Sequence, residues 1–405
     1  MVSAESQKWK KVKLGDLSVI SRGSSPRPIA DQRYFVGGSI PWIKIADATK
    51  SGKFLYQTKE HVNEFGASFS RLLPKGSLIV AASGTLGYTQ FLGVEGCVHD
   101  GWLIVNADES KLDKNFLYYK LIEQQKYFYN NAYGAAIQNV NTGILRDLEI
   151  DLPEISVQLG ISSVLSTYDD LIENNNRRIQ VLENILQKIY IEWFVNFRFP
   201  GHENAKIGKV GFPENWEIKK LSTITSLITR GISPKYDDSA ENIVLNQKCI
   251  RNGKLNITLA RRQSKLVPSE KLLREGDVLI NSTGVGTLGR VTQVWERLDN
   301  CTVDSHVTIV RPSITSEFLG RTLLGMEKYF ENQGIGSTGQ TELGRERIGE
   351  TEILVPTESL QIQYSNLARP IHDLIIKIMK INANLTKSRD ALIPQMVTGK
   401  LTIQS

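Results

Sequence analysis

Cysteine is nearly absent from this chain: three residues in 405, Cys97, Cys249 and Cys301. Three cannot pair evenly, and no C-x-x-C spacing occurs, which argues for a reducing compartment and against a zinc site. Cys97 and Cys301 fall inside apolar strands and read as packing residues. Histidine is scarce too, and His61, His99, His202, His306 and His372 offer no metal-ligand spacing. No G-x-x-x-x-G-K-[ST] loop occurs, which excludes that type of phosphate cradle. No apolar run approaches the roughly 18 residues needed to span a bilayer. Residues 1–13 are polar and lack the apolar core of a secretion signal, so the expected compartment is the cytoplasm, with no membrane partner.

What is present suffices for two ordinary cores, with 40% hydrophobic and 23% charged residues. The net charge is +6. A basic excess suits a polyanionic partner, because neutralising phosphates drives much of nucleic-acid affinity.

The chain also repeats itself, at an offset of about 203 residues. Trp9, Leu14, Arg22-Gly23 and Pro26 open the first copy, and Trp216, Leu221, Arg230-Gly231 and Pro234 open the second. The run from Lys75-Gly76-Ser77 to Gly84-Thr85-Leu86-Gly87 answers to Glu275-Gly276-Asp277 through Gly286-Thr287-Leu288-Gly289. Cys97 and Asp100 match Cys301 and Asp304; Gly134 and Gln138 match Gly336 and Gln340; Pro153 and Gln158 match Pro356 and Gln361. The offset drifts by a few residues, as insertions in loops produce. So long a period means a duplicated domain, not a solenoid array.

Each copy changes character once. Residues from about 9 to 153 carry short apolar runs broken by Gly, Pro and Asn, with a helical patch at Asn115 to Tyr129, which predicts a mixed α/β domain. After Pro153, Ile161, Val164, Tyr168, Leu171, Leu182, Ile185 and Ile189 recur at helical spacing. Tyr364, Leu367, Ile371, Leu374, Ile378, Ile381, Leu385 and Leu392 share that register in the second copy. These stripes predict helices over roughly 158–193 and 361–393, each about 50 Å long at 1.5 Å per residue. Sharing a register, they are expected to form one antiparallel coiled coil, with Asn175, Arg178 and Ser388 as polar seam residues that could fix its alignment. Pro370 is awkward for an unbroken second helix, and Pro394 is expected to close it. The expected α/β (α+β) architecture is therefore a pseudo-two-fold repeat: mixed α/β domains at 1–153 and 204–356, helical spacers at 154–203 and 357–405.

Chemistry of its own is not evident. Gly284-Val285-Gly286-Thr287-Leu288-Gly289 fits G-x-G-x-x-G after a probable strand, Asp277 to Ser282, but Arg290 to Trp295 alternates like a strand. A dinucleotide site needs a helix N-terminus there, so a hairpin turn is the better reading. Asp304-Ser305-His306 lists triad letters, yet adjacent strand residues point to opposite faces. Glu217-Ile218-Lys219 spells an E-x-K nuclease element without a paired upstream acid.

Arg22-Gly23-Ser24-Ser25-Pro26, Ile40-Pro41-Trp42-Ile43-Lys44, the Lys75 to Gly87 run and Leu152-Pro153 before Gln158 together resemble a DNA-specificity subunit of type I restriction-modification systems. Ile191-Glu192-Trp193-Phe194-Val195-Asn196-Phe197 resembles the end of that family's central helix, and Leu392 to Gly399 its C-terminal ending. Two departures stand out. Val157 and Leu360 replace a frequent Glu before the junction Gln, and Val244 to Lys248 replaces the Pro-Trp-Ile segment. The resemblance implies a non-catalytic subunit that reads a split, asymmetric site in double-stranded DNA, one half per domain, with the helices as spacer. It implies two methylation subunits, carrying S-adenosylmethionine and methylating adenine at N6, and motor-nuclease subunits using ATP and Mg, with no cofactor in this chain. A stand-alone dimeric DNA-binding or scaffold protein is the competing reading.

Polar loops beside glycine turns are the natural readers, since their side chains match base edges and phosphates. The candidates are Arg22, Ser24, Ser25, Arg27, Lys44, Ser83, Thr85, Tyr88 and Gln138 in the first domain. In the second they are Arg230, Ser233, Lys235, Lys248, Asn281, Ser282, Thr283, Arg290, Thr338 and Gln340. Trp42, Trp102 and Tyr127-Phe128-Tyr129 read better as core than as base-stacking groups.

Overall fold

In the computed structural model, residues 9–48, 52–133, 139–334 and 342–401 are described. Gln138, Thr338 and Gln340 lie outside these residues. The chain forms two compact units, one from Met1–Arg177 with Lys380–Ser405 and one from Arg178–Met379. Among the described residues no helix is long and apolar enough to cross a membrane.

The first unit holds a five-stranded sheet ordered Ser18–Arg22, Trp102–Ala107, Leu78–Ala81, Thr89–Leu92, Phe54–Leu55. A four-stranded sheet runs Glu60–Val62, Ile40–Ile43, Gly96–Val98, Arg71–Leu73, with its central pair parallel. Leu78–Ala81 is buried throughout because it faces two cores. Leu78 and Val80 join Leu103, Phe116 and Ile161, while Ile79 and Ala81 join Trp102, Ile104 and Leu55. Strict alternation of side chains delivers this partition, and each fully buried Leu or Ile contributes about 1.5–3 kcal/mol.

The expected helix from Asn115 to Tyr129 is two pieces, Lys114–Glu123 and Gln125–Asn131, broken at Gln124. Asp113 caps the first by accepting from Phe116 N at 2.8 Å. The second packs Phe128 where a Cβ on Gly87 would collide with its ring, so the Gly87 position (φ +72°) tolerates only glycine.

The second unit repeats the plan. Thr225–Arg230, Val307–Pro312, Val278–Asn281 and Val291–Gln293 form its larger sheet in that order, and Ile243–Leu245 lies between Arg261–Arg262 and Cys301–Val303 in a smaller one. Val278 and Ile280 enter one core, Leu279 and Ile309 the other. Short strand pairs close both copies: Lys10–Lys13 with Glu149–Leu152, and Glu217–Lys220 with Glu352–Val355. The Glu217-Ile218-Lys219 element is part of the latter, with Lys219 paired to Glu217 at 2.8 Å. All three cysteines are buried, and burial raises their thiols above the ordinary range.

The two long helices span Ile155–Tyr190 and Glu358–Met396. The first continues as a π-helical turn over Ile191–Val195 that buries Trp193 and Phe194. At the start of each, the junction glutamine is buried, and Nε2 of Gln158 and of Gln361 donates to the Pro153 and Pro356 carbonyl, each at 2.9 Å. This contact needs no preceding Glu. Pro370 sits exposed inside the second helix, which runs on through it. Pro394 does not end it either: the helix runs to Met396, and the backbone turns away at Gly399, whose φ is +73°.

Within the first unit the helix segments run antiparallel: Asn175 Nδ2 donates to Asn382 Oδ1 at 2.8 Å, and Arg389 donates to Asp169 Oδ1 at 2.5 Å. The packed seam differs from the expected one. Its buried members are Ile161, Leu165, Asp169, Asn175, Ile179, Leu186, Tyr364, Ala368, Ile375, Ile378 and Asn382. Val164, Leu171, Ile185, Leu367, Leu374 and Ile381 are exposed, whereas Leu182, Ile189, Ile371 and Leu392 are partly buried against the cores. Tyr168 and Leu385 are also partly buried. Apolar spacing favoured the neighbouring stripe because the seam itself includes Asp169, Asn175 and Asn382, which offset the cost of burial by bonding one another or Arg389. Arg178 and Ser388, expected at the seam, are exposed.

Candidate nucleic-acid interface

Both units build the same two surface features from the same backbone logic. The first is the Arg-Gly crossover, where the chain leaves the larger sheet and bonds to the smaller. Gly23 N donates to Trp102 O and Ser24 N to Val98 O; Gly231 N donates to Val307 O and Ile232 N to Val303 O. A Cβ on Gly23 would strike the His99 carbonyl and one on Gly231 the Val303 carbonyl, so close backbone approach explains the glycine.

In the first unit Asp100 organises the crossover. Its carbonyl accepts from Arg22 Nε at 2.6 Å, and its carboxylate accepts from Ser25 Oγ at 3.0 Å and pairs with Arg27. Partial burial pushes the carboxyl upward, but Ser25, His99 and Arg27 together hold it below its ordinary range. Ser24 Oγ donates to Phe69 O at 2.5 Å. Lys44 lies 4.6 Å from the Trp42 ring centroid and donates to Glu60 at 2.5 Å. With Ile29, Gln32, Phe35 and His61 these three line a cleft of about 450 Å³. Trp42 and Trp102 are fully buried, as is Phe128, so they serve the core; Tyr129 is exposed.

In the second unit Arg230 donates to Leu343 O at 3.0 Å and pairs with Glu342 at 2.8 Å. Ser233 and Lys235 are exposed, as is Lys248. Beside them Arg261 lies over the Tyr236 ring at 3.4 Å, Arg262 donates to Ala240 O, and Lys265 donates to Ser233 O. These basic residues were not among those singled out from the sequence. A compositional signal marks them: residues 248–274 carry eight Lys and Arg against a single acid, Glu270. Lys254 belongs to that run but pairs with Glu183 of the first long helix.

The second feature is the glycine turn. Leu78–Ala81 and Thr89–Leu92 form an antiparallel hairpin, as do Val278–Asn281 and Val291–Gln293. A strand therefore follows G-x-G-x-x-G, where a dinucleotide site needs a helix. Ser83 bridges to Asn139 and Thr283 to Glu342, which makes them equivalent. Thr85 O accepts from Tyr88 N, and Tyr88 is half-buried with its hydroxyl 3.4 Å from Ala48 O. Asn281 and Ser282 are buried: Asn281 Nδ2 donates to the Gln247 and Thr287 carbonyls, and Ser282 Oγ bonds Thr308 Oγ1 at 2.6 Å. They hold the turn from beneath. Thr283 Oγ1 meets His306 Nδ1 at 2.7 Å, and Arg290 donates to Gly286 O at 2.6 Å. His306 is thus tied to Thr283, while its backbone N–H donates to Asp304.

A family model described as the type I restriction modification DNA specificity domain matches residues 6–184. The chain is 24% identical over 420 residues to the type I restriction enzyme MjaIX specificity subunit of Methanocaldococcus jannaschii, covering 98% of this chain and 94% of that one. It is 20% identical to the HindI specificity subunit of Haemophilus influenzae, covering 97% and 99%. In fold it resembles the crystal structure of a type I restriction-modification S subunit from M. genitalium, with a TM-score of 0.62 over 98% of both chains at 16% identity.

Proposed function

This chain belongs to the family of type I restriction-modification DNA-specificity subunits, and from that premise we propose that it reads a bipartite, asymmetric DNA site, one half with each repeat. The observation that carries the reading is the duplicated pair of surface features, crossover and glycine turn, bearing different side chains in the two copies. A shared backbone places loops alike; unlike side chains select unlike bases.

On this reading the chain catalyses nothing. Two methylation subunits supply S-adenosylmethionine and transfer its methyl group to adenine N6, and motor-nuclease subunits using ATP and Mg cut unmodified DNA. The long helices act as the spacer between half-sites. Arg22 and Arg230 contact base edges, and Arg27, Lys44, Lys235 and Arg261 contact phosphates.

Co-expression with a methylation subunit encoded beside it, followed by single-molecule sequencing of host DNA, tests the proposal. The expected result is a split motif methylated only when this chain is present. A stable complex without chain-dependent methylation would favour a stand-alone DNA-binding or scaffold role instead.

A further inference from the structure

The two glycine turns differ in length. Ser83 and Thr283 occupy equivalent bridges, and Gly87 and Gly289 are equivalent left-handed positions packed on the short helices. Between them the first domain has Gly84-Thr85-Leu86 and the second has Gly284-Val285-Gly286-Thr287-Leu288. The two added residues bring Val285 to the tip, 91% exposed, the most exposed of the large apolar side chains described.

A single exposed apolar side chain ordinarily calls for no explanation. This one stands on a braced backbone. Gly284 (φ +106°) and Gly286 (φ +69°) flank it in conformations that side-chain-bearing residues avoid. Thr287 N and Leu288 N both donate to Gly284 O, Arg290 donates to Gly286 O, and buried Asn281 donates to Thr287 O. The turn is therefore ordered before any partner arrives, with the Arg290 guanidinium engaged in bracing it. Val285 itself has no hydrogen-bonding group in its side chain. The methyl group of thymine is the one apolar feature a base pair presents in the major groove.

Resting on the reading of this chain as a DNA-specificity subunit, we infer that Val285 is a specificity-determining residue that contacts a thymine methyl group in the second domain's half-site. The first domain, with its shorter turn and Ser83 and Thr85 in the loop, lacks this contact.

The test pairs a protein change with a DNA change. The complex of this chain with its methylation subunit is titrated with duplexes carrying its mapped methylation motif, each thymine of the second half-site being replaced singly by uracil, which removes only the methyl group. Wild type is expected to lose about fourfold in affinity at one position, the equivalent of one buried methyl group. Val285→Ala is expected to bind the parent duplex about as weakly and to be indifferent to uracil there. Uracil tolerated at every position by wild type, or an equal uracil penalty in Val285→Ala, would overturn the assignment. Wild-type complex showing no preference for the motif over scrambled DNA would instead defeat the underlying reading.

Discussion

Where the first domain's outer strand carries Glu60, the second carries Arg262. The equivalence follows from register: Trp42 lies opposite both Glu60 and Cys97, and Ile243 lies opposite both Arg262 and Cys301. Beneath the sheets the contrast continues. The second domain buries an ion pair, Arg311 with Asp277, both carboxylate oxygens accepting at 2.8 Å. At the matching places the first has exposed Asn106 and half-buried Ser77, whose hydroxyl merely donates to Pro74 O. On the second long helix, His372 stacks on Trp295 at 3.5 Å; on the first, Asp169 bonds Tyr119 and Arg389. Duplication thus preserved backbone geometry, set by glycines and strand pairing, while polar anchoring and surface charge diverged within it.

The largest effect should come from the buried pair. Asp277→Ala strands the Arg311 guanidinium and is expected to cost about 3–5 kcal/mol, whereas Ser77→Ala should cost well under that. Domain-resolved hydrogen exchange should show protection lost across 216–356 and kept across 9–153; uniform loss would mean the copies are not energetically separate. Next, Arg22→Ala should weaken binding of the assembled complex by about 1–3 kcal/mol through the first half-site alone, and Arg230→Ala likewise through the second. Filter binding with each half-site scrambled in turn distinguishes the two, and unchanged affinity would remove that arginine from the interface.

A smaller effect is expected from acid. Burial, reinforced by Arg321 and Arg369, pushes His372 down to about 3 from its ordinary 6.5. Because the unfolded chain binds a proton that the folded one refuses, stability is full above about pH 6.5 and declines as pH falls toward 3. At pH 5.5 the loss is on the order of 1 kcal/mol. Urea denaturation at pH 7 and 5.5 should reveal it, and His372→Phe should flatten the difference; an undiminished difference in the variant would assign the effect elsewhere. Smallest is the outer strand: Arg261→Ala with Arg262→Ala should make the logarithmic salt dependence of binding shallower by about 0.9 for each phosphate no longer neutralised, leaving the methylated motif unchanged. A changed motif would make these arginines base readers.

Much of this was legible in the residues. The repeat, the hairpin reading of G-x-G-x-x-G and the buried cysteines follow from spacing and alternation, which are local. The helix seam was not, because Asp169, Asn175 and Asn382 break the apolar stripe that periodicity follows, and their partners are over 200 residues away. Pro394 misled because a proline costs a helix one hydrogen bond without having to end it, and here Ile393, Met396 and Val397, buried in the first core, hold the last turn. Among the interface candidates, Asn281 and Ser282 have the right chemistry for DNA but sit beneath the turn, since alternation along Val278–Asn281 and two cores decide their exposure. The Arg261–Arg262 strand was visible only as composition until pairing placed it on an edge.

Whether each copy reads its own half-site is tested most directly by replacing residues 1–153 with the matching domain of a relative of known motif, then mapping the methylated adenines made by the assembled complex. Independent copies require one half of the motif to become the donor's while the other half and the spacing stay as they were. If both halves changed together, or the spacing shifted with the first domain, the copies would not be independent readers.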